Sequence, residues 1–184
     1  MIGGARAAKS ADGTSLRKIA KTAGSTAVGS TTVVATIRAR TDNSRSFALS
    51  GTTLFYSTSS GIQTVSTGGG AVTTLTPDLA NSMLVSGTKL FYETPGSELK
   101  SVPTAGGTAT SLNFFSARGK MVSDGTFLYL ATGFGVVKMT IGTPTTWVRF
   151  SVNDIWGIAL DATNVYWAKF VESTNSTEIY KAPK

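Results

Sequence analysis

The sequence predicts an all-β protein built from repeated, four-stranded antiparallel units. Small and polar residues followed by apolar and aromatic ones occur at four places: residues 50–56, 86–92, 124–130 and 161–167. Matched threonines in these stretches are separated by 36, 38 and 37 residues, and a repeat of about 37 residues is typical of units too small to bury a core alone. Only 15% of the residues are charged, and the abundant Gly, Ser and Thr favour short strands and tight turns.

Each repeat begins with an apolar strand, here named A, that leads through a tight turn into an aromatic strand, B. An aspartate in this turn can accept hydrogen bonds from the backbone that follows it. Strand B lies within the repeated pattern, as in Leu90-Phe91-Tyr92. Strand A is predicted at residues 47–49, 83–85, 121–122 and 158–160.

The two remaining strands, C and D, are joined by a turn of small residues. Strand C carries a four-residue frame, a segment with apolar residues at its first and fourth positions. Gly and Ser flank this segment, and these flanks favour a strand over a helical turn. Glycines after this frame supply the positive φ of a hairpin loop. Strand C is predicted at residues 16–19, 62–65, 99–102, 136–139 and 179–182, and strand D at residues 31–37, 71–75, 109–114 and 145–150.

In chain order the strands read C-D, three complete A-B-C-D units, then A-B-C. Residues 1–11 are small and basic without periodicity, which predicts a flexible N-terminal tail. Residues 12–184 are expected to form a single repeat domain of roughly four blades. Four-stranded units of this length are the blades of a β-propeller, since β-helix coils are shorter and a sandwich would not repeat so regularly.

The assembled pattern resembles bacterial propeller repeats of the YWTD and NHL types. Those families carry segments like Asp161-Ala162-Thr163-Asn164-Val165-Tyr166-Trp167 on the second strand, and segments like residues 102–108 at the hairpin between the third and fourth strands. The resemblance covers residues 12–182 and implies a propeller fold. It favours an extracellular or periplasmic location, although residues 1–6 lack the apolar core of a secretory signal. Leu130 departs from the pattern by replacing its terminal aromatic residue.

The incomplete first and last units leave two arrangements open. The chain can be an arc of a larger propeller, completed by a second copy or by further sequence. Alternatively, the final A-B-C unit can accept the strand near Val33 and close a compact four-bladed ring. The first C strand would then have no place in the ring. Because an open arc exposes sheet edges, we expect a homo-oligomer or a truncated chain.

The composition excludes several kinds of chemistry. The chain has no His and no Cys, so Ser-His-Asp catalysis and thiolate chemistry are impossible. No apolar run approaches the roughly 18 residues of a membrane span. Asp124 and Asp161 hold equivalent turn positions, which indicates backbone capping, and neither residues 42–44 nor residues 153–154 have the ligand spacing of a calcium loop. We therefore expect no metal, no cofactor and no enzymatic activity.

The arginines are distributed unevenly. In a propeller the D–A loops emerge on the same face as the B–C loops, and Arg38, Arg40, Arg45, Arg118 and Arg149 fall at the ends of D strands or in the D–A loops. Trp156 lies nearby. Guanidinium groups make fork-like contacts with carboxylate and phosphate, and the net charge of +7 also favours an anionic partner. These six residues are the candidate ligand-binding residues.

Three functions remain open. The first is a non-catalytic binding or scaffold module that docks a protein or an anionic glycan on this loop face. The second is an accessory or sensor domain, or a fragment, of a larger enzyme or receptor. The third is a carbohydrate-binding lectin, ranked lower because no loop Trp or Asp pair repeats in every unit. Nucleic acid is ranked last, since the sequence lacks a basic helix or an RNA-binding aromatic strand.

Overall fold

The computed structural model describes residues 8–10, 13–19, 31–37, 46–115, 117–142, 147–149 and 155–184. These residues form five antiparallel sheets. The chain divides into two compact units, Met1–Leu79 and Ala80–Lys184. The predicted positions Arg38, Arg40 and Arg45 lie outside the described residues.

The first unit contains two sheets. The first sheet is three-stranded and consists of β1 (Ala8–Ser10), β2 (Gly13–Ile19) and β3 (Thr31–Ile37). The second sheet is four-stranded and consists of β4 (Phe47–Ser50), β5 (Thr53–Thr58), β6 (Gly61–Ser66) and β7 (Thr73–Thr76).

The second unit contains three sheets. The third sheet consists of β8 (Ser82–Ser86), β9 (Lys89–Glu93), β10 (Glu98–Pro103) and β11 (Thr110–Phe115). The fourth sheet consists of β12 (Ala117–Ser123), β13 (Phe127–Thr132), β14 (Gly135–Thr140) and β15 (Trp147–Arg149). The fifth sheet consists of β16 (Ile155–Leu160), β17 (Asn164–Val171) and β18 (Ser176–Pro183), with a 3-10 helix, Glu172–Thr174, between the last two.

The predicted all-β fold and the order of its strands are confirmed. Each complete unit forms one sheet in which consecutive strands pair as neighbours. One difference concerns the predicted tail, because Ala8–Ser10 form β1 and pair with β2, with Ser10 opposite Gly13. A strand of three residues is too short to show an alternating pattern, so the sequence did not predict it. The other tail residues of the prediction, 1–7 and 11, lie outside the described part of the chain.

The A–B turn closes in the same way in four sheets, which explains the repeated threonine. Its backbone carbonyl accepts a hydrogen bond from the N–H of the residue just after strand C, at 2.8–3.0 Å. This bond extends the B–C ladder by one residue pair beyond its last paired residues. The pairs are Thr52 with Thr67, Thr88 with Thr104, Thr126 with Ile141, and Thr163 with Lys184.

The B–C hairpin is closed by a buried threonine in two sheets. The Thr58 hydroxyl donates to the Gly61 carbonyl at 3.0 Å, and the Thr132 hydroxyl donates to the Gly135 carbonyl at 2.7 Å. Each hydroxyl also accepts the N–H two residues on, at 3.1 and 3.2 Å respectively. The threonine side chain therefore bonds backbone N–H and C=O groups of the hairpin that are not paired between the two strands.

The core of the second unit lies between neighbouring sheets. One face of the fourth sheet, with Leu128 and Met139, packs on Phe91 and Leu99 of the third sheet. Its other face, with Tyr129, Ala131 and Val136, packs on the fifth sheet. Strand β12 lies against both β8 and β16, so the three A strands are neighbours. A β-strand points alternate residues to opposite faces, which is why strands covered on both faces are apolar throughout.

The close approach of the backbone at Gly61 predicts a large cost for a side chain. Gly61 has φ +116°, and a Cβ there would lie 2.3 Å from the Thr76 carbonyl oxygen. Gly51 also has positive φ (+55°), but a Cβ there would meet no atom within 4 Å. We expect Gly51→Ala to cost about 1 kcal/mol and Gly61→Ala at least about 2 kcal/mol more, measured by urea denaturation. Equal losses would contradict the steric explanation.

Candidate functional site

The structure describes part of the predicted arginine-rich face, at the loop end of the second unit. Arg149 is exposed at the end of β15, opposite Val137 at the loop end of β14. Trp156, in β16, is 64% exposed. Arg118 lies in the loop half of β12. The three described candidates therefore lie at the same end of two successive sheets.

Two of these residues lie in irregularities of the A strands. Between Ile155 and Gly157 the pairing of β16 with β17 shifts by one residue, so that Trp156 has no partner. In β12 the pairing with β13 shifts between Ala117 and Lys120, which leaves Arg118 among the unpaired residues. Such β-bulges bend a strand and redirect its side chains, and they are frequent beside binding sites. The sequence pattern did not reveal them, because a bulge leaves no periodic signal in a strand this short.

Further exposed residues surround these bulges. Lys120 is exposed on β12, directly after the first bulge. Phe134, in the hairpin between β13 and β14, is 36% exposed, and its ring lies edge-on to Phe114 with centroids 6.0 Å apart. Phe170, near the end of β17, is 38% exposed. The loop end of the fourth and fifth sheets thus combines cations with aromatic side chains.

Two of the acidic groups described at this end contact neighbouring side chains. Glu98 lies 3.8 Å from Lys100, and the Tyr180 hydroxyl donates to Glu178. This hydrogen bond raises the pKa of Tyr180, because the nearby carboxylate disfavours the phenolate. Glu172 is exposed in the loop of the fifth sheet. The resulting surface is suited to carboxylates or sulfates next to Arg149, and less so beside Glu172.

The carboxylates at the opposite, turn end have a structural role. Asp124 Oδ1 accepts the N–H groups of Thr126 and Phe127 at 3.0 and 2.8 Å, and its Oδ2 accepts the Tyr129 hydroxyl at 3.2 Å. Lys184 Nζ lies 3.6 Å from the same Oδ2. Burial acts to raise the pKa of Asp124, but these backbone bonds, the Tyr129 bond and the Lys184 charge together lower it. The predicted turn capping is confirmed at this position.

Asp161 repeats the arrangement. Its Oδ1 accepts the N–H groups of Thr163 and Asn164, both at 2.7 Å, and its Oδ2 accepts the Tyr166 hydroxyl at 2.6 Å. The Tyr166 bond, followed by the two backbone bonds, holds the pKa of Asp161 well below its usual range. A carboxylate with so low a pKa stays ionised and does not serve as a general acid near neutral pH.

The aspartate and the tyrosine occur together in the repeats. Where the turn has Asp, as in the fourth and fifth sheets, the residue five positions later is Tyr. Where the turn has Ser50 or Ser86, the residue five positions later is Phe55 or Phe91. A buried phenol requires an acceptor and a phenyl ring does not. The sequence shows that the turn residue and the residue five positions later vary together. The structure explains this joint variation, because the two side chains are in contact.

The described residues contain no group of three or more Asp or Glu that could hold a metal ion. A cavity of about 140 Å³ lies between the third and fourth sheets, and Lys89, Phe91, Leu112, Leu128 and Met139 are among its lining residues. Typical ligand pockets are larger, at about 300–1,000 Å³. No helix in the described part of the chain has the length and apolar character needed to cross a bilayer.

Comparison with known proteins places the fold. No protein family model matches the chain. No curated protein sequence matches it either. The fold is nevertheless found among solved structures at low sequence identity, so the likeness carries information on architecture alone.

Three of these structures illustrate the match. The nidogen/laminin complex contains a chain that is 16% identical, with a TM-score of 0.65 over 90% of this chain and 67% of that one. The designed protein Ika8 is 10% identical, with a TM-score of 0.63 over 84% of this chain and 51% of that one. BamB from Moraxella catarrhalis is 15% identical, with a TM-score of 0.58 over 95% of this chain and 63% of that one. The chain is a β-propeller repeat protein, as its sequence predicts.

The Asp124–Tyr129 contact predicts non-additive mutations. Asp124→Ser leaves the buried Tyr129 hydroxyl without its acceptor, at a cost of about 1–3 kcal/mol. The double variant Asp124→Ser/Tyr129→Phe reproduces the Ser and Phe of the earlier repeats. We expect it to be about 1 kcal/mol more stable than the sum of the single variants implies, measured by urea denaturation. The exposed pair Asp161 and Tyr166 is the matched control and should show weaker coupling. Additive losses at Asp124 and Tyr129 would argue against the contact.

Alkaline stability should depend on Tyr129. Burial, and then the charge and hydrogen bond of Asp124, raise the pKa of Tyr129 from 10.0 to about 12. The folded state holds this proton more tightly than the unfolded state. The hydroxyl therefore adds to the free energy of unfolding, fully below about pH 10, and this addition is lost as the pH rises through about 12. The urea midpoint of the native protein should therefore fall more steeply above pH 10 than that of Tyr129→Phe. Parallel curves would exclude this contribution.

Proposed function

We propose that the protein is a non-catalytic binding module whose loop end in the second unit docks an acidic segment of another protein. The carrying observation is Trp156, an exposed tryptophan that a bulge sets outside the strand ladder. A large aromatic side chain left 64% exposed loses contact with water only when a partner covers it. Its position suits an anchor better than a core residue.

The neighbouring cations define the chemistry of the partner. Arg149 is exposed on the preceding strand, and Lys120 follows the equivalent bulge. Tryptophan and arginine dominate the binding energy of many protein interfaces, since both combine contact area with directed polar groups. A segment with carboxylates beside an apolar residue would match this combination.

Two related proposals follow from the same fold. The repeats are proposed to be of the YWTD type, which suits an extracellular or periplasmic role. One matched structure is a nidogen/laminin complex, by its name an assembly of two proteins, and this precedent supports protein docking. An accessory or sensor domain of a larger enzyme or receptor would use the same surface.

A lectin is the second candidate, and an anionic glycan is the version that the site favours. Arginine and lysine beside an aromatic ring can hold a sulfated or carboxylated sugar. The small cavity between the third and fourth sheets offers little room for an enclosed sugar pocket. A surface-bound acidic glycan is therefore tested alongside an acidic peptide.

Biolayer interferometry with a glutamate-rich peptide and with heparin tests the proposal. Arg149→Glu and Trp156→Ala should each weaken binding of the peptide at least about tenfold without lowering the melting temperature. Lys89→Glu, at the turn end of β9, makes the same change in net charge and should have a smaller effect. If Arg149→Glu and Lys89→Glu weaken peptide binding equally, the binding depends only on the general attraction of opposite charges, which would contradict the proposed site. Binding of heparin alone would favour the glycan.

A further inference from the structure

The cavity between the third and fourth sheets is enclosed by two regular sheet faces of the second unit. On the third sheet, Ser101 pairs with Phe91 on one side and with Thr110 on the other, so the three side chains lie on one face. On the fourth sheet, Leu128 pairs with Met139, and both belong to the same buried cluster as Phe91. All five residues line the cavity, whose volume is about 140 Å³. Apolar side chains therefore form much of its wall.

Two polar groups lie side by side on the wall that the third sheet forms. Lys89 is the one charged residue among the described residues that line the cavity. It pairs with Pro103, two residues beyond Ser101, so Lys89 and Ser101 are diagonal neighbours on one face. Within the described part of the chain, no ion pair of Lys89 and no hydrogen bond of the Ser101 hydroxyl is found. Ser101 is 3% exposed, and a buried hydroxyl usually has a partner. An ammonium and a hydroxyl are therefore available to an anion that enters the cavity.

The next pair of sheets shows how the equivalent space is filled. Phe127 is equivalent to Lys89, because each is the first residue of its B strand. Lys138 is equivalent to Ser101, because each holds the third position of the frame in strand C. On the face of the fourth sheet that packs on the fifth, the Lys138 ammonium lies 3.9 Å from the centroid of the Phe127 ring. A lysine and an aromatic ring thus pack together where the third sheet has a serine and a lysine.

These two differences account for the cavity and for its charge. Ser101 leaves empty a volume that a lysine stem occupies on the fourth sheet, and Lys89 places a cation where the fourth sheet has an aromatic ring. The group that the third sheet lacks is therefore a ring. An apolar cavity of about 150 Å³ admits one benzene ring, and the volume here is close to that. A ring that carries a carboxylate would also match the ammonium and the hydroxyl.

We propose that this cavity binds a small aromatic monocarboxylate. The ring lies against Leu128 and Met139, and the carboxylate accepts hydrogen bonds from the Lys89 ammonium and the Ser101 hydroxyl. The volume limits the ligand to about one ring. Because Lys89 is at the turn end of β9, the cavity is separate from the loop-end residues that dock an acidic segment. Binding at either site is therefore independent of binding at the other.

Titration of the full chain with benzoate, followed by NMR of the methyl groups, tests the proposal. Benzoate should shift the signals of Leu112, Leu128 and Met139 in a saturable way, because these side chains line the cavity. Val136 and Val165, buried between the fourth and fifth sheets, are the internal control and should change little. Absence of a saturable shift, or equal shifts at both pairs of sheets, would overturn the proposal.

Two further probes separate the ring from the charge. Benzyl alcohol has the same ring without a carboxylate and should bind at least about tenfold more weakly than benzoate. Hexanoate has the carboxylate on a flexible chain without a ring, and it should also bind more weakly, because it loses more conformational freedom on binding. Equal binding of either probe would contradict an aromatic carboxylate as the ligand.

Variants of the third sheet locate the charge and the space. Lys89→Met keeps an unbranched stem without its charge, so it should weaken benzoate binding at least about tenfold and leave the binding of benzyl alcohol nearly unchanged. Lys181→Met, exposed on the fifth sheet, makes the same change in net charge and should leave benzoate binding unchanged. Ser101→Lys introduces the residue of the fourth sheet and should abolish the binding of both probes by filling the cavity.

Equal effects of Lys89→Met and Lys181→Met on benzoate binding would overturn the proposal. Native-like benzoate binding by a folded Ser101→Lys would overturn it as well. If Ser101→Lys does not fold, the comparison of the two methionine variants decides.

Discussion

The architecture depends on apolar sheet faces that only a neighbouring sheet can cover. Tyr129 and Val136 on the fourth sheet are fully buried because Val165 and Trp167 of the fifth sheet pack over them. The fifth sheet carries Ile179 at the position of Val136, yet Ile179 is largely exposed. Burial of one such aliphatic side chain contributes about 1.5–3 kcal/mol. Stability therefore arises largely at the contacts between sheets.

The two ends of the sheets in the second unit have different roles. At the turn end, threonine carbonyls accept hydrogen bonds from the residues after strand C, and this contact recurs from sheet to sheet. At the loop end, strands β12 and β16 depart from regular pairing, at Arg118 and Trp156 respectively, whereas β8 pairs regularly with β9. Regular pairing supports the fold and varies little between sheets. Irregular pairing changes the direction of a strand, and at Trp156 it coincides with a side chain that is 64% exposed.

The turn aspartates show how a repeat diverges without losing its structure. Asp124 stabilises a turn and also accepts the hydroxyl of Tyr129. Earlier repeats have serine and phenylalanine at the two positions, so no phenol there lacks an acceptor. A substitution at one position is tolerated when the other changes with it, because the cost lies in the unpaired polar group. The carboxylates in these turns stabilise the fold, and their presence says little about function.

The sequence by itself determined the strand order and the repeat length. Hydrophobic spacing in strands C and B is local, and a period of two or three residues is visible without knowledge of neighbours. Only the tertiary structure revealed β1 and the bulges in β12 and β16. Pairing and coverage depend on which strand lies alongside, and Ile62 and Ile179 look alike in sequence although one is buried and the other is not. The sequence predicted that the candidate residues lie at one end of the sheets, while strand pairing decided that Trp156 lies outside the regular ladder.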